Sequence, residues 1–252
     1  NPIRWYTLGR VNQRTHRKLM VIDGRIGFIG GVGIADAWDC DADDPSHWRD
    51  MHYRLDGPAV AQIQQAFMEN WMDTRAVVLC GEDYFPPLEP VGNQQCQVFK
   101  SPAAEGADNA RVMVLLSFAA ARQSIRIAQA YFVPDTLMIR TLIEACRRGV
   151  TVEIITPSDA IDQRIVRMVA RSQWGALLDA GIRFYEYQKA LFHCKYLIVD
   201  DCWVSVGSSN LDNRSLRLND EANLNVLDAE FAAEHIRIFE QEGGWFSDGT
   251  RT

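Results

Sequence analysis

Two histidine–lysine pairs in the 252-residue chain recur together with their surroundings. Laid over 193–208 at an offset of 177, residues 16–31 align His16-x-Lys18-x4-Asp23-x6-Gly30 with His193-x-Lys195-x4-Asp200-x6-Gly207. The positions between them match in apolar alternation, Leu19, Val21 and Ile22 against Tyr196, Ile198 and Val199. An internal duplication is the economical reading. On a strand, residues i and i+2 share a face, so His16 projects with Lys18 and His193 with Lys195. A face carrying an imidazole and an ammonium is not core, because burying an unpaired lysine is expensive. Packing of the two copies about a pseudo-twofold axis brings both pairs to one cleft around a small anion. That set suits phosphodiester chemistry. One imidazole attacks phosphorus, the other protonates the leaving alkoxide, and the lysines hold the equatorial oxygens as charge builds. Asp23 and Asp200 sit at hairpin turns, where Asp commonly bonds locally, and are expected to organise the motif by pairing with nearby basic groups.

The elements that must position these residues are legible in outline. Residues 19–22 and 25–29 flank Asp23-Gly24 and read as a hairpin. Pro58 opens an amphipathic helix to about Thr74, with Val60, Ile63, Phe67 and Trp71 as its buried face. The stretch 81–106, rich in Gly, Pro, Asn and Gln, reads as a linker between a first half, 1–80, and a second, 107–252. Beyond it come a helix at about 109–122, a strand at 125–130, a helix capped by Asp135 and stopped at Gly149, and a strand at 150–156. A helix at about 162–180, a strand at 182–187, a second hairpin 193–199/203–207, a strand at 222–226 and a helix from Asp228 complete the chain. Alternating strands and helices with short connections imply an α/β fold, its sheet mostly parallel and covered on both faces.

Composition narrows the function classes. At 47% hydrophobic and 23% charged residues the chain is an ordinary globular one. Its six cysteines, Cys40, Cys80, Cys96, Cys146, Cys194 and Cys202, are scattered, which fits neither a zinc site nor a disulfide framework and suggests a reducing compartment. A net charge of −7 argues against nucleic acid as a partner. The longest uncharged apolar run, 112–121, is about half of what crosses a bilayer. Arg164, Arg167 and Arg171 form a helical stripe read as a solvated face, with a lipid-headgroup strip as the alternative. Trp245 and Phe246 are candidate interfacial anchors or core cover, and His47 and His52 lack a third ligand at metal-binding spacing.

The motif resembles that of the phospholipase D superfamily, His-x-Lys-x4-Asp followed by Gly-Ser/Gly-x-Asn. The second copy fits in full through Gly207-Ser208-Ser209-Asn210, whereas the first reads Gly30-Gly31-Val32-Gly33, with Gly33 where the family has Asn. Leu211-Asp212-Asn213-Arg214-Ser215, Trp48-Arg49-Asp50-Met51-His52, Gly57-Pro58-Ala59-Val60, Tyr131-Phe132-Val133-Pro134-Asp135 and Arg148-Gly149-Val150 are similar to the bacterial cardiolipin synthase branch. The resemblance implies two half-domains with mixed, mostly parallel sheets related by a pseudo-twofold axis. It implies phosphate binding by Ser208 and Asn210 with Lys18 and Lys195, and by the Gly31 and Gly33 loop in the first half. Glu221 for the second half and Asp50 for the first become the acids that orient the neighbouring catalytic histidines. The implied reaction is phosphatidyl transfer through a phosphohistidine, without metal or cofactor, between two phosphatidylglycerol molecules at a membrane surface. His16 is the implied nucleophile and His193 the acid/base, although Gly33 argues the other way. A phospholipase D hydrolase shares these residues, as does a metal-independent nuclease of the superfamily, and Gly33 is also compatible with an inactive descendant. The implied location is the bacterial inner membrane, peripherally, with no obligate protein partner.

About 84 residues precede His193 from Asn109, but only 15 precede His16. A matching first half needs roughly 70 more, so the first half is expected to lack its start and to expose a sheet edge. Any membrane anchor would then lie upstream of Asn1.

Overall fold

The computed structural model describes residues 14–39, 41–101, 108–243 and 246–248, the side chains of 164 and 246–248 excepted. Readings made on Asn1, Cys40, Trp245 and the side chains of Arg164 and Phe246 lie outside the described residues. In the first half, β1 (Arg14–Thr15) leads into the antiparallel hairpin of β2 (Leu19–Ile22) and β3 (Ile26–Gly30). Asp23 and Gly24 turn it in the left-handed region, with φ of 51° and 63°. A 3-10 turn at Asp36–Trp38 precedes β4 (Trp48–Arg49) and β5 (His52–Asp56), and β5 completes a small sheet in the order β2-β3-β5. β2 is an open edge of that sheet among the described residues, with Met20 and Ile22 exposed.

α1 (Val60–Arg75) closes over the small sheet through fully buried Val60 and Ile63. Gly27 permits the approach, since a Cβ there would lie 2.6 Å from Ile63 Cδ1. The expected apolar face is only half right. Phe67 is exposed and stacks on Trp71 with ring centres 6.1 Å apart. Arg17 reaches this end of the helix instead, donating to the Ala66 carbonyl and pairing with Glu69.

The expected linker is corrected by β6 (Gln95–Ser101), a strand paired along its whole length with β15 (Asn219–Leu227), Ser101 opposite Glu221 and Gln95 opposite Leu227. The short alternation Gln95-Cys96-Gln97-Val98 carries this strand, but turn residues on its N-terminal side obscure it. In the second half α2 (Asn109–Ala120), β7 (Ser124–Gln129), the short and unexpected β8 (Phe132–Val133), then α3 (Thr136–Arg147) and β9 (Thr151–Pro157) follow, all but β8 as read. Asp135 caps α3 by accepting from the Leu137 and Met138 N–H groups. The helix expected at 162–180 is broken at Gln173 into α4 (Arg164–Ser172) and α5 (Trp174–Asp179). β10 (Arg183–Tyr187), β11 (Leu191–Phe192), β12 (Lys195–Val199), β13 (Trp203–Gly207), β14 (Leu211–Asp212) and α6 (Asn213–Arg217) lead to β15, α7 (Ala229–Gly243) and β16 (Phe246–Asp248).

The main sheet runs β1-β15-β13-β12-β7-β9-β10-β16, with β6 on β15. It is mixed, but not mostly parallel. The strand–helix–strand units make β7-β9-β10 parallel, whereas β12-β13, β7-β12, β13-β15 and β6-β15 are antiparallel. β12 is buried throughout and divides two cores. Tyr196 and Ile198 join Ile29, Leu55 and Ile63 of the first half, while Leu197 and Val199 join Phe118, Leu142 and Leu177 of α2, α3 and α5. The first half thus shares a core with the second. No described helix is long and apolar enough to cross a membrane.

Candidate active site

Each motif histidine is delivered by a two-residue strand that pairs in parallel with the opposite half. Arg14 and Thr15 of β1 lie opposite Asn219 and Asp220, and Leu191 and Phe192 of β11 lie opposite Trp48 and Arg49. The offset of 177 maps one pair onto the other, as a pseudo-twofold arrangement requires. The pairing ends in matching hydrogen bonds: His16 N–H donates to the Asp220 carbonyl at 2.9 Å and His193 N–H to the Arg49 carbonyl at 2.8 Å. The next residue on each partner strand is the acid. Glu221 therefore meets His16, with Nδ1 3.0 and 3.1 Å from its two oxygens, and Asp50 meets His193, with Nδ1 2.6 Å from Oδ2. The acids are exchanged between halves, which corrects the expectation that each serves its own half, because β1 and β11 pair across to the strands that carry them. A carboxylate accepting at Nδ1 fixes the tautomer and leaves Nε2 bearing the lone pair.

The two acids are braced differently. Glu221 accepts from Ser208 Oγ at 2.5 Å, Ser215 Oγ at 2.6 Å and Asn219 Nδ2 at 3.3 Å. Ser208 is wholly buried and also accepts from the Ala222 N–H, so it acts on His16 through Glu221. In the first half Gly31 takes the matching place, and a Cβ there would lie 2.3 Å from Asp50 Oδ1. The shorter acid and the smaller loop residue fit together. The Gly31 N–H is already donated to the Met51 carbonyl. Asn210 is buried, and its Oδ1 lacks a hydrogen-bond partner, an acceptor left spare.

The lysines bind their own motif backbones: Lys18 Nζ donates to the His16 carbonyl at 2.9 Å, and Lys195 Nζ to the His193 carbonyl. Burial lowers the pKa of Lys18 against the attraction of Glu221 and Asp50. Burial also lowers that of Lys195, to about 8, against the attraction of Asp50. Burial and the charges of Lys195 and Lys18 lower the pKa of His193 against its bond to Asp50. For Asp50 burial pushes the pKa up, but the charge of Lys195, the bond to and charge of His193 and the Met51 N–H together hold the carboxyl below its usual range. These mutual effects tie residues of both motifs to one cleft.

Asp200 serves at the other end of β12. Its carboxylate accepts from the backbone N–H groups of Arg122, Gln123 and Ser124, between 2.7 and 3.1 Å, and ties the hairpin to the start of β7. Its partners are amides rather than the expected basic side chains. Asp23 is exposed at its turn.

Sequence reasoning missed an aromatic wall around His193. The ring centres of Trp48, Trp38 and Tyr131 lie 5.3, 5.8 and 6.4 Å from the imidazole, the last two edge-on. Trp48 and Tyr131 stood in segments that carried the resemblance, whereas Trp38 lies in a polar, turn-rich stretch without periodicity. The His193 side chain is 9% exposed and that of His16 29%. Gly33 belongs to this wall, since a Cβ there would lie 3.1 Å from the Trp38 ring. Gly33→Asn is accordingly expected to displace Trp38 and lower turnover about tenfold or more instead of restoring a phosphate clamp. Kinetics together with tryptophan fluorescence check this, and a rise in activity with unchanged fluorescence would refute it.

Arg167 of the expected stripe is turned inward, whereas Arg171 is 43% exposed. Arg167 pairs with Glu186 at 2.8 Å and with Asp159 at 2.7 Å, while Arg171 reaches Glu186 at 3.3 Å and covers the Trp174 ring. The reading of a solvated face fails for Arg167 and holds in part for Arg171. The outward face of α4 is apolar, with Ile165 73%, Met168 67% and Val169 43% exposed. Tyr131 of the aromatic wall donates to Asp162 at the start of α4, at 2.6 Å.

A family model described as "Cardiolipin synthase, PLD-like domain" matches residues 115–242. Cardiolipin synthase A of Pseudomonas putida is 36% identical over 242 residues, which are 94% of this chain and 50% of that protein. Cardiolipin synthase 2 of Bacillus cereus is 34% identical over 246 residues, 96% of this chain and 47% of that protein. The chain spans about half the length of the curated relatives it matches. Among solved structures, the phosphatidylserine synthase of Haemophilus influenzae superposes with a TM-score of 0.70 at 14% identity, covering 94% of this chain and 63% of that one. The phospholipase D family member Nuc from Salmonella typhimurium gives 0.51 at 24% identity, covering 62% and 98%. At such identities the likeness is one of fold.

Proposed function

Because the chain belongs to the cardiolipin synthase branch of the phospholipase D superfamily, we propose that it transfers a phosphatidyl group between two phosphatidylglycerol molecules, giving cardiolipin and glycerol. The observation that carries this reading is the pair of histidines held at Nδ1 by crossed carboxylates, with a lysine beside each. In the first step His16 Nε2 forms a bond to phosphorus while the bond from phosphorus to the glycerol oxygen breaks, and His193 gives that oxygen its proton. In the second step His193 takes the proton from a hydroxyl of another phosphatidylglycerol. The oxygen bonds to phosphorus and His16 leaves. Lys18 and Lys195 neutralise the equatorial oxygens, and Asn210 is proposed to donate to them, in a cleft where such contacts gain strength from low polarity. A second reading reverses the histidines. It is favoured by the burial of His193, which keeps the imidazole neutral and therefore nucleophilic.

The proposed substrate places the chain at a bacterial membrane surface. Support comes from α4, whose Arg167 turns inward and whose isoleucine, methionine and valine face out beside the aromatic wall. An interfacial helix has such an outward apolar face. Phosphatidylglycerol vesicles are the test: cardiolipin with equimolar glycerol is expected. Phosphatidic acid alone would mean hydrolysis, and neither product would overturn the reading. Ile165→Glu with Met168→Glu is expected to reduce vesicle binding about tenfold or more, leaving hydrolysis of a water-soluble phosphodiester unchanged.

A further inference from the structure

We infer that Arg49, clamped by Glu242 of α7, is a positioning residue for the Asp50–His193 pair. Arg49 Nε donates to Glu242 Oε1 at 2.8 Å, and Tyr196 OH donates to Glu242 Oε2 at 2.8 Å. The glutamate side chain is 7% exposed. Arg49 Nη1 donates at 3.0 Å to the carbonyl of Asp50, and the Arg49 carbonyl accepts the His193 N–H at 2.8 Å. Residue 49 therefore grips α7, the acid and the histidine backbone together.

The duplicated motif supplies an internal comparison. Glu221, the acid of the other pair, is fixed by Ser208, Ser215 and Asn219 through its own carboxylate. Its preceding residue is Asp220, whose carboxylate accepts from Asn70 at 2.8 Å. Asp50 has Gly31 where Glu221 has Ser208, and beyond His193 it accepts from the Met51 N–H at 2.8 Å. With no hydroxyl at position 31 to hold the carboxylate, the backbone that carries it has to be held, and the Arg49–Glu242 pair does so. Burial raises the pKa of Glu242, and the charge of Arg49 opposes that rise, as expected of an ion pair withdrawn from water.

The test uses Arg49→Met combined with Glu242→Met, because a buried ion pair replaced by apolar groups of similar volume is usually tolerated, whereas one charge left alone is not. Thermal unfolding close to that of the parent chain is expected. Turnover should fall about 10- to 100-fold with KM little changed, the usual scale for a group that orients a catalytic ligand. The His193 imidazole, followed by NMR titration, should titrate at still lower pH, since its bond to Asp50 opposes the lowering by burial and by Lys195. If the double variant does not fold, Glu242→Gln keeps the shape and is read by the same titration. A folded variant with an unshifted His193 titration and parental turnover overturns the inference. The kinetic readout rests on the proposed phosphatidyl transfer, but the titration does not. A chain inactive on phosphatidylglycerol that still shows the shift refutes the function and retains the positioning role.

Discussion

Replacing His16 or His193 with alanine is expected to lower phosphatidyl transfer roughly a thousandfold or more in each case, since one forms the covalent bond and the other moves the proton. Their effects should not multiply, because the two act as a unit and the double variant should be hardly slower than either single one. Loss of fold is not the expected cause. Without His16, Glu221 keeps its bonds to Ser208, Ser215 and Asn219. Without His193, Asp50 keeps the Met51 N–H and the nearby charge of Lys195. Leaving-group dependence separates the two roles. A phosphodiester with a nitrophenolate leaving group needs no proton, so the variant lacking the acid should regain much of its first-step rate and accumulate label on the remaining histidine. The variant lacking the nucleophile should form no adduct with any substrate. Trapping on residue 16 in the His193→Ala chain supports the first reading, and trapping on residue 193 in the His16→Ala chain supports the reverse. Half-parental activity in either variant would remove the two-histidine mechanism.

Much of this site was legible because a strand's period of two leaves little freedom in where His16, Lys18, His193 and Lys195 point. Asp-Gly at 23–24 likewise determined a hairpin, and Asp135 with Gly149 delimited α3. Less legible was anything decided by partners distant in sequence. Glu221 and Asp50 were identified by resemblance, but their exchange between halves depends on β1 pairing with β15 and β11 with β4, contacts spanning 143 to 205 positions. β6 was hidden by turn-forming neighbours, since pairing with β15 outweighs a weak local preference. The arginines of α4 form a regular stripe in sequence whether they face water or Glu186, and only the position of Glu186 on β10, within reach of Arg167, decides which. Trp38 carried no periodic signal; its place follows from the glycine at position 33 and from the ring of Trp48, 4.5 Å away.

Asp50→Asn is expected to be nearly as damaging as loss of His193 itself, with a fall of roughly a thousandfold or more, because the wrong imidazole tautomer places a hydrogen where the lone pair must be. An asparagine at this position can present an N–H to Nδ1, which drives the proton to Nε2. Glu221→Gln should cost less. Ser208, which sits on Oε2, can accept from the new amide N–H group while Ser215 and Asn219 go on donating to an oxygen at the Oε1 place, so the carbonyl oxygen can stay turned toward His16. The two variants should also differ in pH dependence. The pKa of Lys195, about 8, reflects burial opposed first by Asp50, with Glu221 a lesser influence. Removing the charge of Asp50 removes an attraction that favours the ammonium, so the pKa falls and the alkaline limb of activity moves to lower pH. For Lys18 the order is reversed, with Glu221 the larger attraction, so Glu221→Gln should act mainly there. Stability shifts in the complementary direction. Asp50 has a folded-state pKa below its unfolded value of about 3.9, so it contributes stability above that pH and loses it as pH falls through the folded value. The Asn variant should lack this contribution and show a flatter acid limb in thermal unfolding. Equal losses of activity in the two variants with unmoved alkaline limbs would mean that the crossed carboxylates do not set the ionisation of the cleft.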